Sequence, residues 1–210
     1  MNPGNKTLER AIFRGSVGSD YGKELRWNME KYFSSALAGD TSDRNAILYE
    51  PAAWFSDYST NTTDILVECF VPPDQFESFV TDLRAIVPQS GMDLLNVTVR
   101  DINQDDDTFL RYADKNMISL VMLFSQTLNA SGERKMSDLT QTLVAAALRH
   151  NGRYYLPYRL HATREQFDQA YPQAKKFFAL KCKYDPDELF QNEFYLKYGG
   201  QLTASDRKLP

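Results

Sequence analysis

Glu68, Thr98 and Arg100 each sit inside a run of alternating apolar residues, and that placement, within strands rather than loops, gives them chemical interest. Between Asp64 and Val71, the residues Ile65, Val67, Cys69 and Val71 share one parity, which leaves Leu66, Glu68 and Phe70 on the other. Leu95, Val97 and Val99 likewise leave Asn96, Thr98 and Arg100, while inward-pointing Leu120, Met122 and Phe124 leave Ser119 and Ser125. A fourth run, Arg153 to Tyr158, adds Tyr155 or Tyr158 according to its register. If these strands join one sheet, a carboxylate, an amide, hydroxyls, a guanidinium and a phenol gather on a single face. The guanidinium of Arg100 suits a substrate oxygen because its donors form a fixed fork. The phenol of Tyr158 suits hydrogen bonding or proton transfer, or else packs as an aromatic at the sheet edge. Buried polar groups without partners cost about 1–3 kcal/mol each, so the face is either solvated, with Glu68 pairing Arg100 across strands, or it binds something polar.

The elements that would position these residues follow from periodicity. The strand from Asp64 is stopped by Pro72-Pro73. Asp74 with Glu77 forms a capping-box pattern, and Phe76, Phe79, Val80, Leu83, Ile86 and Val87 carry a helix that closes near Pro88 and Gly91. A second strand over 95–100, an acidic loop from Asp101 to Asp107, and a third strand from Met117 to Phe124 come next. Ser137 is the expected cap of a second helix, which Asn151-Gly152 ends; the fourth strand runs from Arg153 to Tyr158 and is confined to an edge by Pro157. Strand, helix, strand, strand, helix, strand is the order of a ferredoxin-like sandwich. The expected fold class is therefore α+β: a four-stranded antiparallel sheet with two helices on one face, the other face bare. An amphipathic helix from Asp20 to Leu37 precedes it. Beyond it, Thr163 with Gln166 starts a further helix, and Pro172 starts a second helical segment or kinks the first. Asp185-Pro186 is expected to restart a helix whose aromatic ridge is Phe190, Phe194, Tyr195 and Tyr198.

Composition narrows the function classes. The 210 residues carry 24 Lys and Arg against 28 Asp and Glu, a net charge of −4, so the positive field that nucleic acid requires is missing. No stretch approaches the ~18 apolar residues of a membrane span, and the amino-terminal residues have no signal-peptide run; the expectation is a cytoplasmic protein. Cys69 and Cys182, with His150 and His161, make no spacing that resembles a metal site.

The segment Gly152-Arg153-Tyr154-Tyr155-Leu156-Pro157-Tyr158, then Thr163, Tyr171-Pro172, Phe177, and Lys183-Tyr184-Asp185-Pro186 with Phe190 and Asn192, resembles the carboxyl-terminal part of FAD-linked oxidoreductases of the vanillyl-alcohol oxidase type. Their aldonolactone and alditol oxidase branch is also similar at Val67-Glu68-Cys69-Phe70-Val71-Pro72 and Val97-Thr98-Val99-Arg100. The resemblance covers about residues 64 to 198. It implies that residues 63–162 form a substrate cap over the isoalloxazine ring of FAD, and that 163–198 return to the flavin domain. Residues 1–62 would be a connecting segment and 199–210 a tail. It further implies oxidation of a hydroxyl or lactone carbon of a polyol or sugar-like substrate by hydride transfer to flavin. Arg100 and Tyr158 then fall at catalytic positions, and Glu68, Thr98, Ser125 and Tyr155 at substrate-binding ones. Asn192 and His161 would approach the cofactor, although a loop histidine satisfied by backbone is the other reading of His161. Thr98 stands where that branch has a glutamate, and Tyr158 where the family has a lysine. Nothing in residues 1–62 matches a glycine-rich pyrophosphate loop, and Gly15-Ser16-Val17-Gly18 reads as a turn. The chain is thus expected to be the cap portion alone, with the FAD-binding domain missing or on another chain and with self-association through the exposed cap face. The alternative is a stand-alone ferredoxin-like module that binds an effector or partner and catalyses nothing.

Overall fold

The computed structural model describes residues 10–38 and 57–200; the polar loop expected after Ala38, the mixed stretch from Ile47 to Phe55 and most of the 199–210 tail lie outside them. A helical stretch over 10–15 and helix α1 (Asp20–Ala38) come first. Then follow β1 (Thr62–Val71), a 3-10 turn (Pro73–Gln75), α2 (Phe76–Ser90), β2 (Asp93–Ile102), β3 (Met117–Thr127), α3 (Ala130–Arg149) and β4 (Arg153–Tyr154). Helices α4 (Arg164–Ala170), α5 (Ala174–Tyr184) and α6 (Glu193–Tyr198) close the described chain. The sheet order β2-β3-β1-β4, antiparallel throughout, is the ferredoxin-like one. No described helix is long and apolar enough to cross a membrane.

The helix-side parity is as the sequence indicates. Ile65, Val67, Cys69 and Val71 of β1 and Leu120, Met122 and Phe124 of β3 pack against Phe79 and Leu83 of α2 and Met136, Leu139 and Leu143 of α3. Val97 and Val99 share this parity in register with Met122 and Leu120, yet remain exposed because β2 is an edge strand.

Several boundaries differ from expectation, each for a local reason. Helix α3 starts seven residues before Ser137, because the Asn129 side chain accepts from the Gly132 backbone N–H at 2.8 Å and caps it. Helix α2 carries no side-chain cap at Asp74; the turn Pro73–Gln75 leads into it instead, and Gly91 closes it in the left-handed region at φ 64°. Strand β4 is two residues long, since the chain leaves the sheet before Pro157. Asp185 does not start a helix: its carboxylate accepts from the N–H groups of Leu189 and Phe190 in a turn, and Asn192 caps α6 seven residues later. The Thr163–Gln166 capping box is present with both of its bonds.

The carboxyl-terminal helices build a second core. Phe167 of α4, Phe178 of α5 and Tyr195 and Tyr198 of α6 pack with Tyr154 and Val144, and Phe167 stacks on Tyr198 at 4.3 Å between ring centroids. The aromatic ridge is therefore consumed within the chain, apart from Phe190, which stays exposed. Residues 163–198 pack onto the sheet's own helix α3, so no packing boundary falls at residue 162.

Two expectations follow. The end of α3 is a Schellman motif: Asn151 has φ 55°, and the N–H groups of Asn151 and Gly152 donate to Leu148 and Ala147 at 3.1 and 2.8 Å. A Cβ on Gly152 would collide with the Phe70 carbonyl and lie 2.7 Å from that of Ala147. Gly152→Ala should cost about 1–3 kcal/mol in urea denaturation, and Asn151→Gly close to nothing. The second expectation concerns alkali. Burial pushes the Tyr198 phenol up to about 12 and raises those of Tyr154 and Tyr171 as well. Unfolded phenols lose their protons near pH ~10, before the folded ones, so this stability is complete below that pH and falls as pH climbs above it. The urea midpoint should hold up to pH ~9 and then drop; a midpoint that stays level to pH ~11 would contradict it.

Candidate functional site

Register places the second face residue by residue. Asp64, Leu66, Glu68 and Phe70 of β1 stand opposite Ser125, Leu123, Val121 and Ser119 of β3, which in turn face Asp93, Asn96, Thr98 and Arg100 of β2. The expected polar face therefore exists, but it is not bare. At the Ser125 end the amino-terminal segment lies over it: Arg14 binds Asp64, Lys23 binds Asp93, and Arg26 donates to the Leu95 carbonyl at 2.8 Å and to Asn96 at 3.1 Å. Phe13 is buried beneath Arg14 and Arg26, whose guanidinium carbons lie 5.2 and 4.6 Å from its ring centroid.

At the other end the loop after β2 folds back. Asp105 accepts from the backbone of Asp107 and Thr108, and its own N–H donates to Ala113 at 2.8 Å, which brings Leu110 to Ala113 toward the sheet. Tyr112 then stacks on Phe70 at 4.3 Å and 17°. Tyr155 meets Tyr112 edge-on at 5.5 Å, and Tyr158 meets Tyr155 at 4.9 Å. Three phenols and Phe70 thus form a continuous aromatic wall.

Glu68 lies beside this wall with 6% of its surface exposed. Its carboxylate accepts from the Ser119 hydroxyl at 2.5 Å, and its backbone carbonyl accepts from the Tyr155 N–H at 3.0 Å. Ser119 is fully buried. Burial raises the Tyr158 phenol, with the negative charge of Glu68 and then Tyr155 adding to the rise and Arg100 opposing it. Tyr112 is raised in the same way, by burial first and then by Tyr155 and Glu68. Both phenols stay protonated at neutral pH, so they offer O–H donors to whatever enters. Arg100 is exposed on β2 and, among the described residues, makes no ion pair with Glu68 or Asp101. Thr98 is exposed in the same register row as Glu68 and accepts from the Asn96 amide at 3.2 Å.

The structure thus brings Glu68, Thr98, Arg100, Tyr155 and Tyr158 onto one face. Ser125 is not with them. It lies six residues along β3 from Ser119, about 20 Å at strand spacing, under the amino-terminal segment. His161 lines the same small pocket as Glu68, Tyr155 and Tyr158, but both of its ring nitrogens are engaged: Nδ1 lies 3.0 Å from Thr140 Oγ1 and Nε2 2.9 Å from Glu133 Oε1. Asn192 accepts from the Tyr195 N–H at 2.8 Å as the cap of α6. Neither residue fits the flavin contact expected of it. Sequence reasoning missed Tyr112, and the signal was the apolar pair Leu110 and Tyr112 in the stretch between the acidic loop and the third strand. It also placed Ser119 on the face without its role as hydrogen-bond donor to Glu68.

No family model matches this chain, and no curated protein matches it either.

Proposed function

We propose that the face around Glu68 is the substrate-binding surface of an FAD-dependent oxidoreductase acting on a hydroxyl or lactone carbon of a polyol or sugar-like molecule. One observation carries the reading: a carboxylate and a serine, both buried, sit at the centre of a sheet face ringed by phenols. Packing alone does not call for such groups, since a desolvated carboxylate is costly unless something compensates it. Arg100 at the open rim would anchor a substrate oxygen with its fork. Tyr158 and Tyr155 would donate to substrate hydroxyls or hold a proton during oxidation. FAD would supply the redox chemistry. Because His161 and Asn192 are spent within the chain, the cofactor would be held by protein outside the described residues, on a further domain or a partner chain. Exposed Tyr184, Leu189 and Phe190 offer an apolar seat for it. Free thiols at Cys69 and Cys182 fit a cytoplasmic setting.

A second reading, an effector-binding module without catalysis, is favoured by the internal use of the aromatic ridge and of both His161 nitrogens. One experiment separates the two. The protein isolated from its native cells, with whatever it is joined to, should absorb near ~450 nm and be bleached anaerobically by an alditol or aldonolactone. Arg100→Ala should lower kcat/KM by about 10²-fold, near 2.7 kcal/mol, with an unchanged melting temperature, and Arg100→Lys should recover part of the loss. A colourless protein that still binds polyol would establish the module instead, and full activity in the alanine variant would remove Arg100 from the site.

A further inference from the structure

Helix α3 begins hard against the end of β3. A Cβ on Gly132 would collide with the Thr127 carbonyl, so only glycine lets the first turn of the helix come that close. This contact forms one wall of an open cleft of about 380 Å³, a volume within the range of small-molecule sites; Val17 and Gly18 on one side and Gly91 on another complete it. The cleft is remote from Glu68, since Ser125 in its wall lies about 20 Å along β3 from Ser119.

The lining supplies hydrogen-bond donors. Ser125, Thr127 and Ser131 bring hydroxyls and Lys135 an ammonium. Ser125 is only 9% exposed, yet its hydroxyl has no hydrogen-bond partner among the described residues. A buried hydroxyl left unpaired is costly, so a polar group entering the cleft would supply what it lacks. The backbone adds to the set. Asn129 Oδ1 accepts from the Gly132 N–H at 2.8 Å and the Asn129 carbonyl from the Glu133 N–H at 3.0 Å. The Ser131 N–H is thereby left without an acceptor at the positive end of a 20-residue helix.

The charge balance selects the ligand. Asp93 is the one carboxylate in the lining, and both of its oxygens are taken: Lys23 binds Oδ1, and the Gly18 N–H donates to Oδ2 at 2.7 Å. Lys135 is exposed and makes no ion pair among the described residues. A cation would meet an ammonium, a helix amino end and an occupied carboxylate. A neutral polyol would leave the ammonium and the helix end unused. A phosphate uses hydroxyls, ammonium and backbone N–H together.

We propose that this cleft binds a phosphate group, either free or carried by a small hydroxylated molecule. The site is separate from the face around Glu68 and does not depend on how that face is read.

The test titrates the whole chain by isothermal calorimetry with inorganic phosphate, glycerol 3-phosphate and glycerol, at low ionic strength because salt screens exposed charges. At least one of the two phosphates should bind saturably and about tenfold or more tightly than glycerol. Lys135→Gln should weaken that binding by about fivefold, and Lys135→Arg should restore most of it. Ser125→Ala should also weaken it while leaving the melting temperature unchanged, since the hydroxyl removed is unpaired. Tighter binding of glycerol 3-phosphate than of inorganic phosphate makes the ligand a phosphorylated small molecule; otherwise it is free phosphate. The proposal is overturned if neither phosphate binds saturably, if glycerol binds as tightly as glycerol 3-phosphate, or if the affinity survives both Lys135→Gln and Ser125→Ala. None of these results bears on the Arg100 variants or on flavin content, so the two sites are tested apart.

Discussion

The second half of β1, from Val67 to Val71, is buried on both of its faces, and that requirement organises the rest of the described chain. Cys69 and Phe70 are neighbours in sequence, point to opposite sides of the sheet, and are 0% and 1% exposed. Alternation alone makes one of them someone else's problem, because two helices can cover only one side of a ferredoxin-like sheet. Helices α2 and α3 take the Cys69 side. The Phe70 side is closed by two pieces with no regular place in such a fold: the amino-terminal segment at one end, held by Arg14, Lys23 and Arg26, and the Asp105 loop at the other, which delivers Tyr112. What remains open between them is the β2 side of the face, with Thr98 and Arg100, while Glu68 beside it is sealed.

This arrangement sets up an electrical asymmetry. Carboxylate and guanidinium share the face, but one is sealed and the other wet. Burial first, with Glu68 and Tyr155 adding to it, raises the phenols of Tyr112 and Tyr158 and keeps them protonated, which makes the wall a set of neutral donors and π-faces rather than additional anions. The same chain shows what a settled carboxylate looks like at Glu133, where the neighbouring amide, imidazole and guanidinium hold its pKa below the usual range, the Gln126 hydrogen bond foremost. Glu68 lacks that retinue.

How much of this is legible in the sequence depends on the kind of signal. The alternation at 65–71 and 95–100 and the almost continuous apolar run at 117–124 are strong signals, and together they fix the sheet, the helix side and the parity of Glu68 and Arg100 correctly. Helix starts are weaker: Asn129 is a good cap, but Ser131, Gly132 and the charged residues after it look like loop, and Ser137 offers an equally good cap further on. The Asp185-Pro186 signal has all the chemistry of a helix start, and a turn uses the same carboxylate in the same way. Long-range coverage is invisible to periodicity. Nothing in the spacing of Tyr112 shows that it returns to Phe70, and nothing around Ser125 shows that Arg14 and Lys23 will close over its neighbours. His161 illustrates the limit for site residues, since its partners Thr140 and Glu133 are 21 and 28 positions away and only the packing of α3 brings them together.

Helix α3 has a further consequence. Leu143 and Val144 are adjacent and both fully buried, yet the first belongs to the core under the sheet and the second to the core built by α4, α5 and α6. A helix with a single buried stripe can roll a little to absorb a change in its neighbours. One clamped along two stripes cannot, because a one-residue insertion turns everything beyond it by about 100° and would strip both cores at once. Helix α3 therefore acts as a rotational lock, and the sheet and the carboxyl-terminal helices hold their mutual orientation through the angle of this one cylinder.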